Sequence, residues 1–182
     1  MILSDATIQH YLSTGQIQIF PEFNPADIRP AGIRLHLGSE LLIPVAGQKV
    51  DLEAQEDIEF ERVIIPEDGF ILRPGQFVLG TTHERFQVPR DIVCHVEGRS
   101  TVARVGLAIH CTSGIIDGNF EEARTVVLEM SNHGPFDIIL RYKSALAMLS
   151  FSQLTTEITQ NAQKQYQGQD GVVAPNFRMQ KQ

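Results

Sequence analysis

Between Glu97 and Glu129 this chain concentrates the side chains best suited to chemistry, in the stretch EGRSTVARVGLAIHCTSGIIDGNFEEARTVVLE. Arg99 and Arg104, the hydroxyls of Ser100 and Thr101, Asp117 and Glu129 lie among short apolar runs that read as strands. Packing alone gives a domain no reason to load strand edges with so many charges. A polyanionic ligand beside a proton-transfer site would supply one.

Guanidinium forks and hydroxyls suit phosphate oxygens, and Gly98 lets backbone approach closely. The Arg99–Arg104 segment is not a P-loop, because GxxxxGK[ST] is absent. A surface loop accounts for its spacing equally well. Asp117 sits in a turn before Gly118-Asn119, where an aspartate either bonds its own backbone or accepts from a sugar hydroxyl. Alternation over Thr125–Met130 puts Val126, Leu128 and Met130 on one face and Thr125, Val127 and Glu129 on the other. On a solvated face Glu129 is unremarkable; lining a closed pocket, it can shuttle protons. His95-Val96-Glu97 is half of a zinc-deaminase signature, but its PCxxC half is missing and Cys94 and Cys111 stand 17 positions apart. A zinc site is not expected, and His95 reads as a strand residue.

The elements that must position these groups are short. Ser4 caps a helix whose Ile8, Tyr11 and Leu12 share a face, and Gly15 stops it. Ile33, Leu35 and Leu37 then alternate with Arg34 and His36. ILRPGQFVLG reads as two strands around Pro74-Gly75. DIVCHVEG, RVGLAIHC, RTVVLEMSN, FDIILRY and ALAMLSFSQL are further strands, so the expected fold is an all-β sandwich or barrel. From Thr155 the composition turns to Gln, Asn and Gly, which by itself favours a frayed terminus over a tail that orders on a ligand.

The 182 residues fit one domain, 1–182, large enough to bury about 70% of its unfolded surface. A net charge of −7 argues against a nucleic-acid polymer or an acidic membrane as partner, though not against a small anion held by local arginines. Six acids between Asp51 and Glu61 read as a solvated edge or loop. No signal peptide or apolar run of membrane-spanning length is apparent, and cysteines are few, so a cytoplasmic location is expected.

Taken together, these segments resemble the dCTP deaminase branch of the dUTPase superfamily. Gly98-Arg99-Ser100-Thr101-Val102-Ala103-Arg104-Val105-Gly106-Leu107 resembles the family motif G-[RK]-S-S-x-[AG]-R-x-G-L. His110–Asp117 resembles H-x-T-A-x-x-I-D, Val127-Leu128-Glu129 the catalytic-glutamate strand, and Gln165–Gly171 the closing tail K-Y-Q-G-Q-x-G. The opening MILSDATIQHYLSTGQIQI and the Arg141–Phe151 strand pair fit as well.

The resemblance implies a mainly β, distorted barrel or jelly-roll-like dUTPase-type fold. A short N-terminal helix precedes it and a closing tail of about 155–182 follows. It implies a homotrimer with active sites between subunits. The implied activity is hydrolytic deamination of dCTP without zinc, in the supply of dUMP and dTTP, with Mg2+ accompanying the triphosphate and dTTP as a candidate inhibitor. Glu129 would deprotonate the attacking water, with Arg104 and Ser100 holding both. Arg99, Ser100 and Thr101 would contact the triphosphate, and Ser113 and Asp117 the nucleoside, Asp117 at the 3′-hydroxyl. Phe120 would pack near the sugar, Tyr166 and Gln169 would fold over the nucleotide, and Lys164 would stand in for a tail lysine displaced by Gln165.

One branch of the family continues to dUMP and carries glycine where deaminase-only members carry histidine; here that residue is Gly114. Three departures bear on activity. Arg34 stands where an aspartate is usual, Met148 where the dUMP-forming branch has glutamine, and the Asp117–Glu129 connection is two residues longer. A dUTP diphosphatase without deamination and a non-catalytic nucleotide-binding regulator are the alternatives they leave open.

Overall fold

The structure, a computed structural model, describes residues 1–21, 23–53, 56–117, 122–160 and 170–177. Helix α1 (Asp5–Ser13) begins where expected: the Thr7 backbone N–H donates to the Ser4 hydroxyl at 3.5 Å. Ile8 is fully buried, and Tyr11 and Leu12 pack against the core beside it. Beyond the last turn Gly15 takes φ +74°, the left-handed conformation that ends helices at glycine.

The strands are β1 (Gln18–Phe20), β2 (Ile28–Arg29), β3 (Gly32–His36), β4 (Glu40–Pro44), β5 (Phe60–Ile64), β6 (Phe70–Leu72), β7 (Phe77–Thr81), β8 (Arg85–Gln87) and β9 (Ile92–Gly98). A one-turn helix, α2 (Ser100–Ala103), precedes β10 (Leu107–Ala108), β11 (Ile115–Ile116), β12 (Val127–Asn132), β13 (Ile138–Leu140) and β14 (Ala145–Gln153). They form two five-stranded sheets, ordered β10-β12-β7-β4-β5 and β11-β9-β14-β3-β2, and two ribbons, β1-β8 and β13-β6. The expected β architecture is therefore present. ILRPGQFVLG does supply two strands, but they part company. Gln76 N–H closes the turn on the Arg73 carbonyl at 3.0 Å, after which β6 pairs with β13 and β7 with β12 and β4.

Alternation decides which side chains enter the core. Leu41, Val78, Leu128 and Met130 from the first sheet meet Ile33, Leu35, Val96, Leu149 and Phe151 from the second in one buried cluster. Gly80 in β7 leaves no room for a side chain, since a Cβ there would come within 2.6 Å of the methyl of Met130 on the neighbouring strand β12. Asp51, Glu53, Glu56, Asp57, Glu59 and Glu61 are all exposed, as the charge run suggested. Among the described residues no helix is long and apolar enough to cross a membrane.

The C-terminal segment departs from expectation. Gly171–Phe177 is packed rather than frayed, and Val172 is only 1% exposed, against Leu42 and Leu79. Val172, with Ala174 packed beside it, supplies the apolar contact that the glutamine-rich composition obscures.

Two measurements check this packing. Phe151→Ala, at a fully buried position, should cost about 3–5 kcal/mol in urea unfolding. Burial pushes the Cys94 thiol up from 9.0 to about 12, against the pull of Arg124. Its folded value lies above its unfolded one, so its contribution to stability is complete below about pH 9 and is lost as pH rises toward about 12. A thiol reagent should accordingly modify exposed Cys111 in the native protein and Cys94 only after unfolding.

Candidate active site

Glu129 lies mid-strand in β12, half-buried on the face away from the core, with Leu79 as its direct partner across the ladder. The Cys111 backbone N–H donates to its carboxylate at 3.0 Å. The Cys111 thiol lies 3.7 Å from the Glu129 carbonyl and 3.9 Å from the Ser131 hydroxyl. One carboxylate oxygen is thus oriented by the segment His110–Asp117. Spacing gave no signal of this contact.

That segment is fixed against β9. The Val96 N–H donates to the Gly114 carbonyl at 2.9 Å, and β11 then pairs Ile115 with His95 and Ile116 with Cys94. His110 Nε2 lies 3.4 Å from the Glu97 carboxylate, and its ring rests over Gly114, where a Cβ would stand 3.3 Å from Cε1. A side chain at 114 would have to displace that ring. Ser113 and Asp117 are exposed. Behind them burial pushes the Arg124 guanidinium down to about 10, and Cys94 and Asp117 oppose the shift.

The second group of expected site residues follows β9. Arg99 is anchored by its guanidinium to the Ala145 carbonyl at 2.6 Å and by its N–H to the Leu146 carbonyl at 3.2 Å. Ser100, Thr101 and Arg104 are exposed on and after α2. Gly106 then turns the chain at φ +83°, its α-carbon so close to Gly134 that a Cβ would meet the Gly134 nitrogen at 2.4 Å.

These two groups are not brought together within one chain. Leu107 pairs with Asn132 and Ala108 with Ser131, and the His133 N–H donates to the Gly106 carbonyl. Gly106 therefore stands level with His133. Four residues of strand, roughly 13 Å, separate that level from Glu129, and Arg104 lies two residues beyond Gly106. Among the described residues no hydrogen bond or ion pair joins Glu129 to Ser100 or Arg104.

Arg34 is compensated locally. Its guanidinium lies 3.3 Å from the buried Asp27 carboxylate. Next to it His36 Nδ1 lies 2.5 Å from Glu84, whose other oxygen accepts from the His36 N–H at 3.0 Å. With His83 and Lys143 they line a cavity of about 300 Å³. Burial pushes the His83 imidazole down, and Glu84 opposes the shift. This cluster was not visible in the sequence, because Asp27, Arg34, His36 and Glu84 come from three separate segments. Met148 lies between Arg34 and Glu97 on the outer face of the second sheet.

A guanidinium engaged by Asp27 offers no lone pair to a metal ion. Among the described residues no group of three acids, histidines or cysteines is arranged to hold a metal ion. Four of the expected substrate-binding residues, Phe120, Lys164, Tyr166 and Gln169, lie outside the described residues.

The profile of the dCTP deaminase-like family matches residues 2–154. A Haloarcula marismortui protein named dCTP deaminase is 37% identical over 190 residues, covering 98% of this chain and 95% of its own length. A Halobacterium salinarum protein named dCTP deaminase, dUMP-forming, is 37% identical over 189 residues, with 98% and 95% covered. One of the same name from Dictyoglomus thermophilum is 36% identical over 188 residues, with 98% and 96% covered. Among solved structures, 2′-deoxycytidine 5′-triphosphate deaminase from Agrobacterium tumefaciens shares the fold, with a TM-score of 0.64 at 18% identity. That match covers 82% of this chain but 47% of the other, so the chain spans about half the length of that solved protein. The family match over most of the chain, with relatives alike from end to end, makes this chain a member of the dCTP deaminase-like family.

Proposed function

We propose that this chain hydrolyses dCTP to dUTP and ammonia as a cytoplasmic homotrimer, each active site combining groups from two copies. The observation that carries the reading is Glu129, oriented by the Cys111 N–H and accessible on an outer sheet face, within a family whose named members above are dCTP deaminases. The separation of Arg104 from Glu129 along β12 supports the composite site. A neighbouring copy would bring its Arg104 and Ser100 to the water and to Glu129.

Cytosine C4 is a poor electrophile, so the site must supply a strong nucleophile and a proton to the ring nitrogen. Glu129 takes a proton from water as the oxygen attacks C4, then delivers it on the path to the departing ammonia. One water is consumed, the C4–N bond breaks, and the base becomes uracil. Arg99, Ser100 and Thr101 face the triphosphate, Asp117 the 3′-hydroxyl, and Ser113 the nucleoside between them. Phe120 would pack near the sugar, with Tyr166, Gln169 and Lys164 closing over the nucleotide.

Mg2+ would enter on the phosphate oxygens, where it neutralises charge and keeps several waters. The Arg34–Asp27 pair does not fit a metal ligand set, so no step is assigned to a protein-held ion. The same nucleotide site would accept dTTP as a competitor. A cytoplasmic setting is supported by two free cysteines in different environments.

Gly114 favours a second stage in the same site, hydrolysis of dUTP to dUMP and pyrophosphate. It carries the residue of the dUMP-forming branch, and it lets the His110 ring sit close, where a Cβ would stand 3.3 Å from Cε1. Anion-exchange separation of products from dCTP and Mg2+ tests both stages. Accumulating dUTP gives deamination alone, whereas dUMP with pyrophosphate gives both stages. Pyrophosphate from dUTP without ammonia from dCTP would indicate a diphosphatase, and nucleotide binding without product a regulator.

Glu129→Gln should lower kcat about 10²–10⁴-fold or more while dCTP still binds; unchanged turnover would remove the mechanism. Coexpressing Glu129→Gln with Arg104→Ala chains should restore activity at about a quarter of the sites if each site draws on two copies. A single-chain site predicts no recovery.

A further inference from the structure

Val172 is buried on the outer face of the sheet that carries Glu129. It packs on Leu42 and Leu79, with Val127 and Ala174 alongside. Leu79 is the cross-strand partner of Glu129 and Val127 its neighbour two residues along the same face, so this contact adjoins the candidate catalytic carboxylate. Polar groups hold the segment as well. Arg62, itself paired with Glu40, donates to the Val172 carbonyl at 3.2 Å. The Thr125 hydroxyl donates to the Gly171 carbonyl at 3.3 Å, and Thr125 precedes Glu129 on the same face. Gly171 takes φ +81°, so the turn entering this contact suits glycine. Arg85 lies 3.9 Å from the Asp170 carboxylate at the start of the segment.

We infer that Asp170–Ala174 form an intrachain anchor, seated by Val172 and Arg62, that ties the C-terminal segment to the Glu129 of its own chain. The inference deepens the proposed deamination and rests on it. Asp170 directly follows the residues to which the family resemblance assigns closure over the nucleotide. Tethering that end beside Glu129 raises its effective concentration at one active site and assigns each tail to its own chain's glutamate. Val172, Arg62 and Thr125 are thereby positioning residues rather than catalytic ones.

The energetic signature follows from population arithmetic. An unanchored tail is competent only part of the time, and the apparent affinity for nucleotide falls by that fraction. Saturating dCTP restores the competent state. Val172→Asp should therefore raise KM for dCTP about tenfold while leaving kcat within about twofold of the unaltered protein. Arg62→Ala should act in the same direction, and Val172→Ile should restore wild-type KM. A KM unchanged in Val172→Asp, or a proportional loss of kcat in all three variants, would overturn the anchor.

Chain assignment is tested by coexpressing Val172→Asp with Glu129→Gln. An intrachain anchor leaves every live glutamate beside a loose tail, so KM stays raised. Recovery of wild-type KM at part of the sites would overturn the intrachain assignment. Hydrogen exchange at residues 170–177 reads the anchor without turnover. Protection in the unaltered protein that Val172→Asp abolishes supports it, and equal exchange in both overturns it. Should the unaltered protein release no ammonia from dCTP, the proposed function fails, while hydrogen exchange still decides the anchor.

Discussion

Everything in the candidate site depends on the register of β12. Leu128 and Met130 are fully buried between the sheets, so the side chains between and beside them must face outward. A slip of one residue would put the Glu129 carboxylate into an apolar core and two large side chains into water. The penalty for a buried, unpaired charge makes that slip prohibitive. The same strand meets β10 on one side and β7 on the other, so one register sets the Cys111 contact, the level of Gly106 and the partner residue Leu79 together.

Charge is handled locally rather than globally. The chain carries −7 overall, yet its arginines are placed one by one: Arg99 against the Ala145 carbonyl, Arg34 against Asp27, Arg62 against Glu40 and the Val172 carbonyl. Arg34 is the instructive case. Read alone it reverses the charge of the aspartate that the family resemblance leads one to expect there. In the fold Asp27, seven residues earlier, returns a carboxylate to the same cavity wall, so the local charge balance survives. The exposed acids from Asp51 to Glu61 lie apart, on a loop and the edge strand β5.

Much of this was legible in the sequence, for a definite reason. The Ser4 cap, the Gly15 stop, and the alternations of β3 and β12 are local, period-governed features, and each appears where the pattern put it. What escaped were contacts between distant segments. The Cys111 N–H to Glu129 bond joins a loop residue to the middle of β12, 18 positions on. The cavity of Asp27, Arg34, His36 and Glu84 needs the β3 register and the turn before β8. Val172 was hidden by composition, since two valines in a glutamine-rich tail carry little weight until a sheet face with Leu42 and Leu79 is there to receive them. RVGLAIHC overstated its strand for the opposite reason. Its apolar pattern is real and Ile109 is buried, but only Leu107 and Ala108 find ladder partners.

The spacing along β12 has a consequence for how the protein would behave in dilute solution. On the composite-site reading, each protomer holds a carboxylate half-site and an arginine half-site separated by a stiff length of strand, and neither half can fold over to meet the other. Folding then yields only components, and subunit association yields the catalyst. Assembly and turnover share one equilibrium, so dilution below the dissociation constant would extinguish the chemistry while every protomer kept its core intact.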